Sequence, residues 1–168
     1  LGCSWIGYLY DNGSQTHCDP TTSGYRYSAR QIPKLTVRKS ATQTIGTGAL
    51  TDVVFGSVLE GDTAELDFTT PTATIKEAGT YVISWKLTMA GWATAGTYGY
   101  TRLITTLASF DGGHFHNQGA AVPISSEGCV TVTLAVSDTV KLQVIHVEGN
   151  NQDTTADAVD NFMCIAKL

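Results

Sequence analysis

Two histidines at alternate positions are the best metal-ligand candidates in this sequence. His114 and His116 flank Phe115 and follow Gly112 and Gly113, which predict a turn. Alternate residues of a β-strand share one face, so both imidazoles could reach the same ion, but no third ligand lies nearby in the sequence. The alternative is a polar strand end around an inward-facing Phe115. We therefore predict no cofactor, since neither Ca²⁺ nor another metal has further support.

Acidic side chains form two further candidate groups. Glu60, Asp62, Glu65 and Asp67 could supply a carboxylate pair for catalysis, but they flank a predicted turn and are typical of a solvated rim. Residues 148–160, EGNNQDTTADAVD, offer oxygen ligands for Ca²⁺ without EF-hand spacing, which also fits a plain exposed loop. No nucleophile elbow, zinc-protease pair, phosphate loop or dinucleotide fingerprint is present, so we predict that the chain is not an enzyme.

Aromatic residues in one glycine-rich stretch offer a different kind of site, one for binding. Trp92, Tyr98 and Tyr100 lie in the sequence GWATAGTYGY. Aromatic side chains on such a loop supply contact area at a low cost in conformational entropy. These three residues are the predicted binding residues. In the alternative interpretation, Tyr98 and Tyr100 begin the next strand and are partly buried.

Short strands with one apolar face must position all these residues. In residues 77–91, EAGTYVISWKLTMAG, large apolar side chains occupy every second position, which is the period of a half-buried strand. The same alternation returns in residues 130–136, 140–144 and 162–168, and helical spacing is not sustained anywhere. Many short strands separated by turn residues predict an all-β sandwich or barrel.

Residues 1–34 differ in character and form a predicted N-terminal arm. Asn12-Gly13 lies between two extended runs and predicts a hairpin, while the rest of the arm is turn-rich without a sustained period. Cys3 and Cys18 bracket this hairpin, and the sequence leaves open whether they form a disulfide. Aromatic and basic side chains make the arm a candidate anchor; they are Trp5, Tyr8, Tyr10, Tyr25, Arg26, Tyr27 and Arg30.

The low and uneven charge narrows the range of partners. Charged residues make up 15% of the chain, against about 25% in an average domain. The net charge of −5 argues against a nucleic-acid backbone, which needs clustered Lys and Arg. The first 39 residues carry five basic and two acidic side chains, a net charge of +3, and the remainder carries five basic and thirteen acidic ones, a net charge of −8. Because no apolar run approaches about 18 residues and no signal-peptide pattern is seen, we predict no membrane partner either.

Two stretches in the first half of the chain resemble one known family. DVVFGSVLEGD is similar to an early strand whose phenylalanine, here Phe55, lies in the core. EAGTYVISWKL resembles a Gly-x-Tyr motif that opens a core strand, with Gly79 in the turn and Tyr81 as the first inward ring. Both belong to the jelly-roll family shared by the globular head of complement component one-q and the tumour-necrosis-factor ligands.

Two later stretches follow in the order that this family requires. LAVSDTVKLQVIHVEG is similar to its paired late strands, although Ser137-Asp138 replaces the usual Gly-Asp of the turn. DNFMCIAKL resembles its terminal strand, with Phe162 in place of a buried aromatic residue and Cys164 where a small residue is common. Cys164 is accordingly interpreted as a small buried residue. The resemblance covers residues 35–168 and leaves the arm outside.

The resemblance implies a fold, an assembly and a core. The fold is an all-β, two-sheet antiparallel jelly-roll sandwich of about ten strands. It implies a tight homotrimer formed through the outward face of one sheet, where Val82, Ser84 and Thr88 would meet neighbouring subunits and few charges are tolerated. The implied core residues are Phe55, Tyr81, Ile83, Trp85, Leu87 and Phe162.

The resemblance also implies a role. Compact Thr/Gly/Ala-rich members of the family without a collagen-like stalk resemble the fibre heads and capsid-decoration proteins of bacteriophages. We therefore predict a non-enzymatic virion structural protein of a tailed bacteriophage, which decorates or stabilises the capsid or forms a tail-fibre head for host attachment. Residues 1–34 would anchor it to a capsid or tail protein, and residues 35–168 would project from the virion surface.

Two alternatives belong to other functional classes. The first is a secreted, extracellular trimeric module that adheres to a receptor or a host-surface glycan through its loops. The second is a sugar-processing jelly-roll enzyme, which requires carboxylates or histidines that converge in a groove. The chemistry of the sandwich surface therefore discriminates between these classes.

Overall fold

The computed structural model describes residues 34–61, 66–91, 96–116, 122–157 and 160–168. In chain order its strands are β1 (Lys34–Arg38), β2 (Thr44–Ile45), β3 (Thr51–Asp52), β4 (Ser57–Gly61), β5 (Leu66–Thr69), β6 (Thr72–Ile75), β7 (Gly79–Met89), β8 (Tyr98–Thr105), β9 (Ser109–His116), β10 (Ile124–Leu134), β11 (Thr139–His146), β12 (Gln152–Asp153) and β13 (Phe162–Lys167). These ranges contain no helix, and thus none that is long and apolar enough to cross a bilayer. The predicted hairpin and the Cys3–Cys18 pair lie outside the described residues.

The strands form two antiparallel sheets and a short ribbon. The first sheet has the order β10-β7-β13-β1-β4, and the second has the order β5-β6-β11-β8-β9 with β3 added to β11. The ribbon pairs β12 with β2. This arrangement confirms the predicted all-β, two-sheet jelly roll. Strand β1 begins at Lys34, the residue at which the predicted arm ends.

The core lies between the two sheets and follows from the alternation of the long strands. Strand β7 contributes Tyr81, Ile83, Trp85 and Leu87, each at most 2% exposed, and the loop after β3 contributes Phe55 at 1%. Their predicted burial is therefore observed. Burying a large apolar side chain stabilises the folded state by about 1.5–3 kcal/mol, so this single strand is a major source of stability.

Phe162 is the predicted core residue that the structure places elsewhere. In β13, Met163 and Ile165 are fully buried, whereas Phe162, Cys164 and Ala166 are only partly buried and point outward. Met163 lies opposite Trp85 on β7, which fixes this register. Because both sets of alternate residues in β13 are apolar, the sequence pattern alone does not reveal which set faces the core.

Gly112 and Gly113 lie inside β9 and do not form the predicted turn. The chain reverses earlier, where the Thr105 amide donates to the Ala108 carbonyl at 2.8 Å. A Cβ atom on Gly112 would lie 2.4 Å from Thr101 Oγ1 and 3.0 Å from Trp85 Nε1. The glycine is therefore required by the close approach of neighbouring side chains rather than by a turn.

A chain of buried hydrogen bonds joins the two sheets at the end formed by β9 and β10. Trp85 Nε1 donates to Thr101 Oγ1 at 2.8 Å, Thr101 Oγ1 lies 2.7 Å from Ser126 Oγ, and Ser126 Oγ donates to the Gly113 carbonyl at 2.5 Å. Since the Ser126 proton goes to Gly113, the Thr101 hydroxyl donates to Ser126, and every donor is satisfied. Such a network fixes how one sheet lies over the other.

Candidate functional site

The outward side of the second sheet carries four aromatic rings and one guanidinium close together, which we call the aromatic ladder. Its residues are Tyr98, Tyr100, His114, His116 and Arg102. Tyr98 lies opposite His116 and Tyr100 opposite His114 on the neighbouring strand. Their ring centroids are 6.1 Å and 5.1 Å apart, and both pairs are tilted. Cross-strand ring pairs of this kind stabilise a sheet and leave the opposite ring faces available to a ligand.

Arg102 extends the aromatic ladder with a fixed positive charge. Its guanidinium lies 5.3 Å from the centroid of the Tyr100 ring, and Nη2 donates to Tyr100 Oη at 3.2 Å. The same group donates to both carboxylate oxygens of Asp111, from Nε at 2.6 Å and from Nη2 at 3.3 Å. The hydrogen bond from Arg102 lowers the pKa of Asp111, so this carboxylate stays ionised and holds the guanidinium in place.

Local sequence explains why the rings point outward. In β8 the residues that alternate with the tyrosines are buried, so Tyr98 and Tyr100 share the solvent side, and Tyr98 is 44% exposed. Between them, a Cβ atom on Gly99 would lie 2.3 Å from the Phe115 ring and 2.5 Å from the Ile145 carbonyl. The glycine therefore permits the tight pairing of β8 with β9 that brings the rings together.

Four of the five candidate binding and metal-ligand residues lie in the aromatic ladder. Tyr98 and Tyr100 belong to strand β8, as the alternative interpretation holds, and Trp92 lies outside the described residues. His114 and His116 share one face around a buried Phe115, and their nearest ring neighbours are tyrosines. Among the described residues, no group of three His, Cys, Asp or Glu side chains is placed to hold a metal ion.

Arg102 is the site residue that the sequence interpretation missed. It stands two positions after Tyr100 in the run TYGYTR, so the period of two already assigned it to the same face. Its pairing with Asp111 depends on an irregularity in the register between β8 and β9. A bulge of this kind cannot be located from alternation alone.

The acidic candidates do not form a catalytic pair. Glu60 on β4 contacts Lys34 at 2.5 Å, and Asp67 on β5 lies 3.8 Å from Lys76 Nζ. The two carboxylates belong to different sheets, and both are largely exposed. Asp62 and Glu65 lie outside the described residues.

The described residues of the segment 148–160, namely 148–157 and 160, are tied to the sandwich at several positions, while about half of them are exposed as in the predicted loop. Part of the segment is strand β12, and Thr154 is fully buried. The Asn161 side chain accepts a hydrogen bond from the Thr88 amide at 2.6 Å and donates to Thr155 Oγ1 at 2.7 Å and to the Asp157 carbonyl at 2.9 Å. The polar groups of this segment therefore support its own fold.

Lys39 is the most deeply buried charged residue among those described, at 1% exposure. Its ammonium group donates to Gln43 Oε1 at 3.3 Å and to the Val54 carbonyl at 3.1 Å. Burial lowers the pKa of Lys39 to about 8. The side chain lines a cavity of about 200 Å³ and joins the segments around residues 43 and 54. Neutral acceptors satisfy this amine, so we assign it a structural role.

The outward side of the first sheet has a different composition, and we call it the first outer face. Its residues are Ser125, Glu127, Cys129, Thr131 and Thr133 on β10, Thr80, Val82, Ser84, Lys86 and Thr88 on β7, Phe162, Cys164 and Ala166 on β13, and Lys34, Thr36 and Arg38 on β1. Short side chains fill two adjacent cross-strand rows around Val82 and Ser84. Cys129 is an exposed free thiol, and Cys164, expected to be buried, is a half-buried one.

Comparison with known proteins identifies the fold class. No protein-family model matches the sequence, and no curated protein matches it. Among solved structures, murine APRIL at pH 5.0 is similar with a TM-score of 0.63 and 11% identity, over 82% of this chain and 100% of that chain. Eiger TNF from S. frugiperda gives a TM-score of 0.57 at 10% identity, over 83% of this chain and 94% of that chain.

A complement protein shares the same arrangement of strands. The globular domain of zebrafish complement 1qA has a TM-score of 0.56 and 17% identity, over 79% of this chain and 94% of that chain. At these identities the likeness concerns the fold. The chain has a jelly roll of the tumour-necrosis-factor and complement-1q type, which confirms the family resemblance at the level of the fold.

Proposed function

We propose that this chain is a non-enzymatic homotrimeric module that packs its first outer face against copies of itself and presents the aromatic ladder for binding. The observation that carries the proposal is the pair of short-side-chain rows around Val82 and Ser84. Across β10, β7 and β13 these rows form a flat patch of short, uncharged residues, which can approach another protein closely without the cost of desolvating charges. The charged residues of this face, Lys34, Arg38, Lys86 and Glu127, lie around that patch. The outward face of the second sheet, with Arg102, Asp111 and two tyrosines, is unsuited to such packing.

The distribution of chemical groups supports a binding role over catalysis. The described carboxylates of the Glu60 and Asp67 region lie on different sheets and are exposed. The aromatic ladder has ring faces, imidazoles and a fixed guanidinium, which are the groups that binding surfaces use for contact and orientation. A stacking ligand such as a glycan, or a receptor loop, suits this chemistry.

The proposed location is the surface of a virion, most specifically the capsid or tail of a tailed bacteriophage. Residues 1–34 carry three basic and two acidic side chains, a net charge of +1 against −6 for the rest of the chain, and an excess of basic side chains suits attachment to an acidic shell. In this proposal residues 1–34 anchor the trimer through their aromatic and basic side chains. The jelly roll then decorates and stabilises the particle or serves as a fibre head.

A second candidate is a secreted, extracellular trimeric module that binds a receptor or glycan. The exposed aromatic ladder favours it, because such a surface has an evident use in recognition and none in stabilising a shell. Both candidates share the trimer and differ in the task of the arm. Identifying what the arm binds therefore distinguishes the virion protein from the secreted module.

The test measures assembly and attachment together. Light scattering of the full chain at micromolar concentration should give the mass of a trimer. A variant lacking residues 1–30 should remain trimeric and lose attachment to particles, whereas Tyr98→Ala with Tyr100→Ala should keep attachment and lose binding to host-surface glycans. A truncated protein that still decorates particles at full occupancy would exclude the anchor role, and a monomeric full chain would exclude the trimer.

A further inference from the structure

Strand β11 continues the surface of the aromatic ladder on the side away from β9. Strand β8 pairs with β9 at one edge and with β11 at the other, and the second pairing places Ile145 opposite Tyr100 and Gln143 opposite Arg102. Val147 follows β11, and its amide donates to the opposite carbonyl of β8 at 3.0 Å. These β11 side chains alternate with buried ones, so they share the outward side with the ladder. The ladder is therefore part of a flat surface three strands wide.

Polarity changes along this surface in the direction of the strands. The rows at one end hold the rings of the ladder and the aliphatic side chains of Ile145 and Val147. The row at the other end holds Asp111, Arg102 and Gln143. Consecutive rows lie about 6.6 Å apart, since alternate residues of a strand are separated by twice the rise of about 3.3 Å. A flat ligand with an apolar face and polar groups at its edge matches this division.

The polar row offers a free donor beside a free acceptor. Nε and Nη2 of Arg102 donate to Asp111 and Tyr100, and no hydrogen bond within the described residues uses Nη1. Gln143 Nε2 donates to Asp52 Oδ1 at 2.7 Å. Because a carboxylate only accepts, this bond fixes the amide with its Oε1 oxygen turned away from Asp52. A hydroxyl group both donates and accepts, so hydroxyls can bond to Nη1 and to Oε1 alike.

Charges on this part of the sheet are already balanced. Arg102 contacts Asp111 at 2.6 Å, and Lys141 contacts Asp52 at 3.0 Å. These four are all the Asp, Glu, Lys and Arg residues that β3, β8, β9 and β11 contain. An acidic ligand would gain an ion pair only by competing with a carboxylate that its cation already binds. A ligand without charge leaves both pairs intact.

We propose that this surface binds a neutral oligosaccharide, with sugar rings over Tyr98, Tyr100 and Ile145 and hydroxyl groups bonded to Arg102 Nη1 and Gln143 Oε1. The inference rests on the proposed binding role of the aromatic ladder and names its ligand class. A sugar ring carries C–H groups on its faces and hydroxyls at its edge, which is the division of polarity found here. The rows of Tyr98 and Arg102 lie about 13 Å apart, which is longer than one sugar ring.

Isothermal titration calorimetry on the full-length chain tests the ligand class. The neutral probes are oligosaccharides of glucose, galactose, mannose and N-acetylglucosamine, and the acidic probes are oligogalacturonate and heparin oligosaccharides. At least one neutral probe should bind about tenfold or more tightly than either acidic probe. Its affinity should change less than about twofold between about 50 and about 500 mM salt, because screening acts on charges.

Four variants locate the bound probe. Gln143→Leu should weaken binding by about tenfold, since it removes the free acceptor. Tyr98→Ala should weaken binding by about tenfold or more, whereas Tyr98→Phe keeps the ring and should stay within about threefold of the wild type. Thr74→Val is the matched control, because it removes a polar group from the outward side of the same sheet on β6, away from the ladder. Circular dichroism verifies folding.

Each outcome decides a separate point. A neutral probe bound equally by the wild type and Tyr98→Ala overturns both the inference and the binding role of the ladder. If Tyr98→Ala loses binding and Gln143→Leu does not, the ladder binds the probe and the assignment of the polar row is wrong. Preference for an acidic probe, with affinity that falls as salt rises, makes the neutral class wrong and leaves the binding role standing. If no probe binds at about millimolar concentration, the inference is wrong, and a receptor loop becomes the expected ligand of the ladder.

Discussion

Both outward surfaces of this sandwich come from the same alternation of buried and exposed residues along the strands, but they present different side chains. On the first outer face, Val82, Ser84 and Ala166 leave a surface of short side chains, whereas on the second sheet Tyr98 and Arg102 form a projecting and charged one. Both surfaces are equally consistent with a half-buried strand. The length of the side chains at the centre of each face, rather than their period, therefore distinguishes the face that can pack against a copy from the face that can hold a ligand.

The largest effect is expected from a charge placed at the centre of the first outer face. Val82→Arg should destabilise the trimer by more than about 4 kcal/mol, because the interface would bury an unpaired cation. This corresponds to an increase of about 1000-fold in the dissociation constant. Ile104→Arg is the matched control, since Ile104 is also half-buried and outward on the other sheet. If light scattering shows that both variants dissociate to the same extent, the claim that only the first outer face forms the trimer interface is wrong.

A change within the sandwich should affect both surfaces together. A Cβ atom on Gly128 would lie 2.2 Å from the Trp85 ring, and Trp85 is held by its hydrogen bond to Thr101. Gly128→Ala should therefore lower the free energy of unfolding by about 2–3 kcal/mol. Urea denaturation measures the change. Gly46→Ala, where no atom lies within 4 Å of the added carbon, should cost much less, and equal costs would contradict the proposed clash.

Truncating Phe162 tests whether its outward position is used in assembly. Phe162→Ala should weaken the trimer by about 1.5 kcal/mol, or about tenfold, since aromatic side chains are frequent anchors of interfaces. Tyr98→Ala removes a ring from the opposite surface and should leave the mass unchanged. Analytical ultracentrifugation across a dilution series distinguishes the two variants. A Phe162→Ala protein that dissociates like the wild type would place this ring outside the interface.

The smallest effect concerns the charges of the aromatic ladder. The hydrogen bond from Arg102 lowers the pKa of Asp111, so its contribution to stability is present above pH about 4 and is lost as pH falls below that value. Because the carboxylate is 47% exposed, the contribution should be about 0.5 kcal/mol. Asp111→Asn should make the fall of the melting temperature below pH 4 slightly shallower. An unchanged slope would show that solvent screens the pair completely.

The sequence predicted the fold well because alternation over long strands is a local property. Tyr81 to Leu87 on β7 could be assigned to the core without knowledge of any neighbour. Phe162 could not, since both faces of β13 are apolar and only its pairing with β7 decides between them. The sequence analysis assigned the residues of the aromatic ladder to two separate groups, a binding loop and a pair of candidate metal ligands, because the contact of Tyr100 with His114 depends on the register of two strands.

The two free thiols of the first outer face can report chemically on whether that face is covered. Cys129 is exposed and Cys164 half-buried in the isolated subunit, so an alkylating reagent reaches Cys129 readily there. Assembly through this face would cover Cys129, and its rate of alkylation would then follow the fraction of free subunits. The wild-type protein can thus be used to time its own association by mass spectrometry, without any added probe.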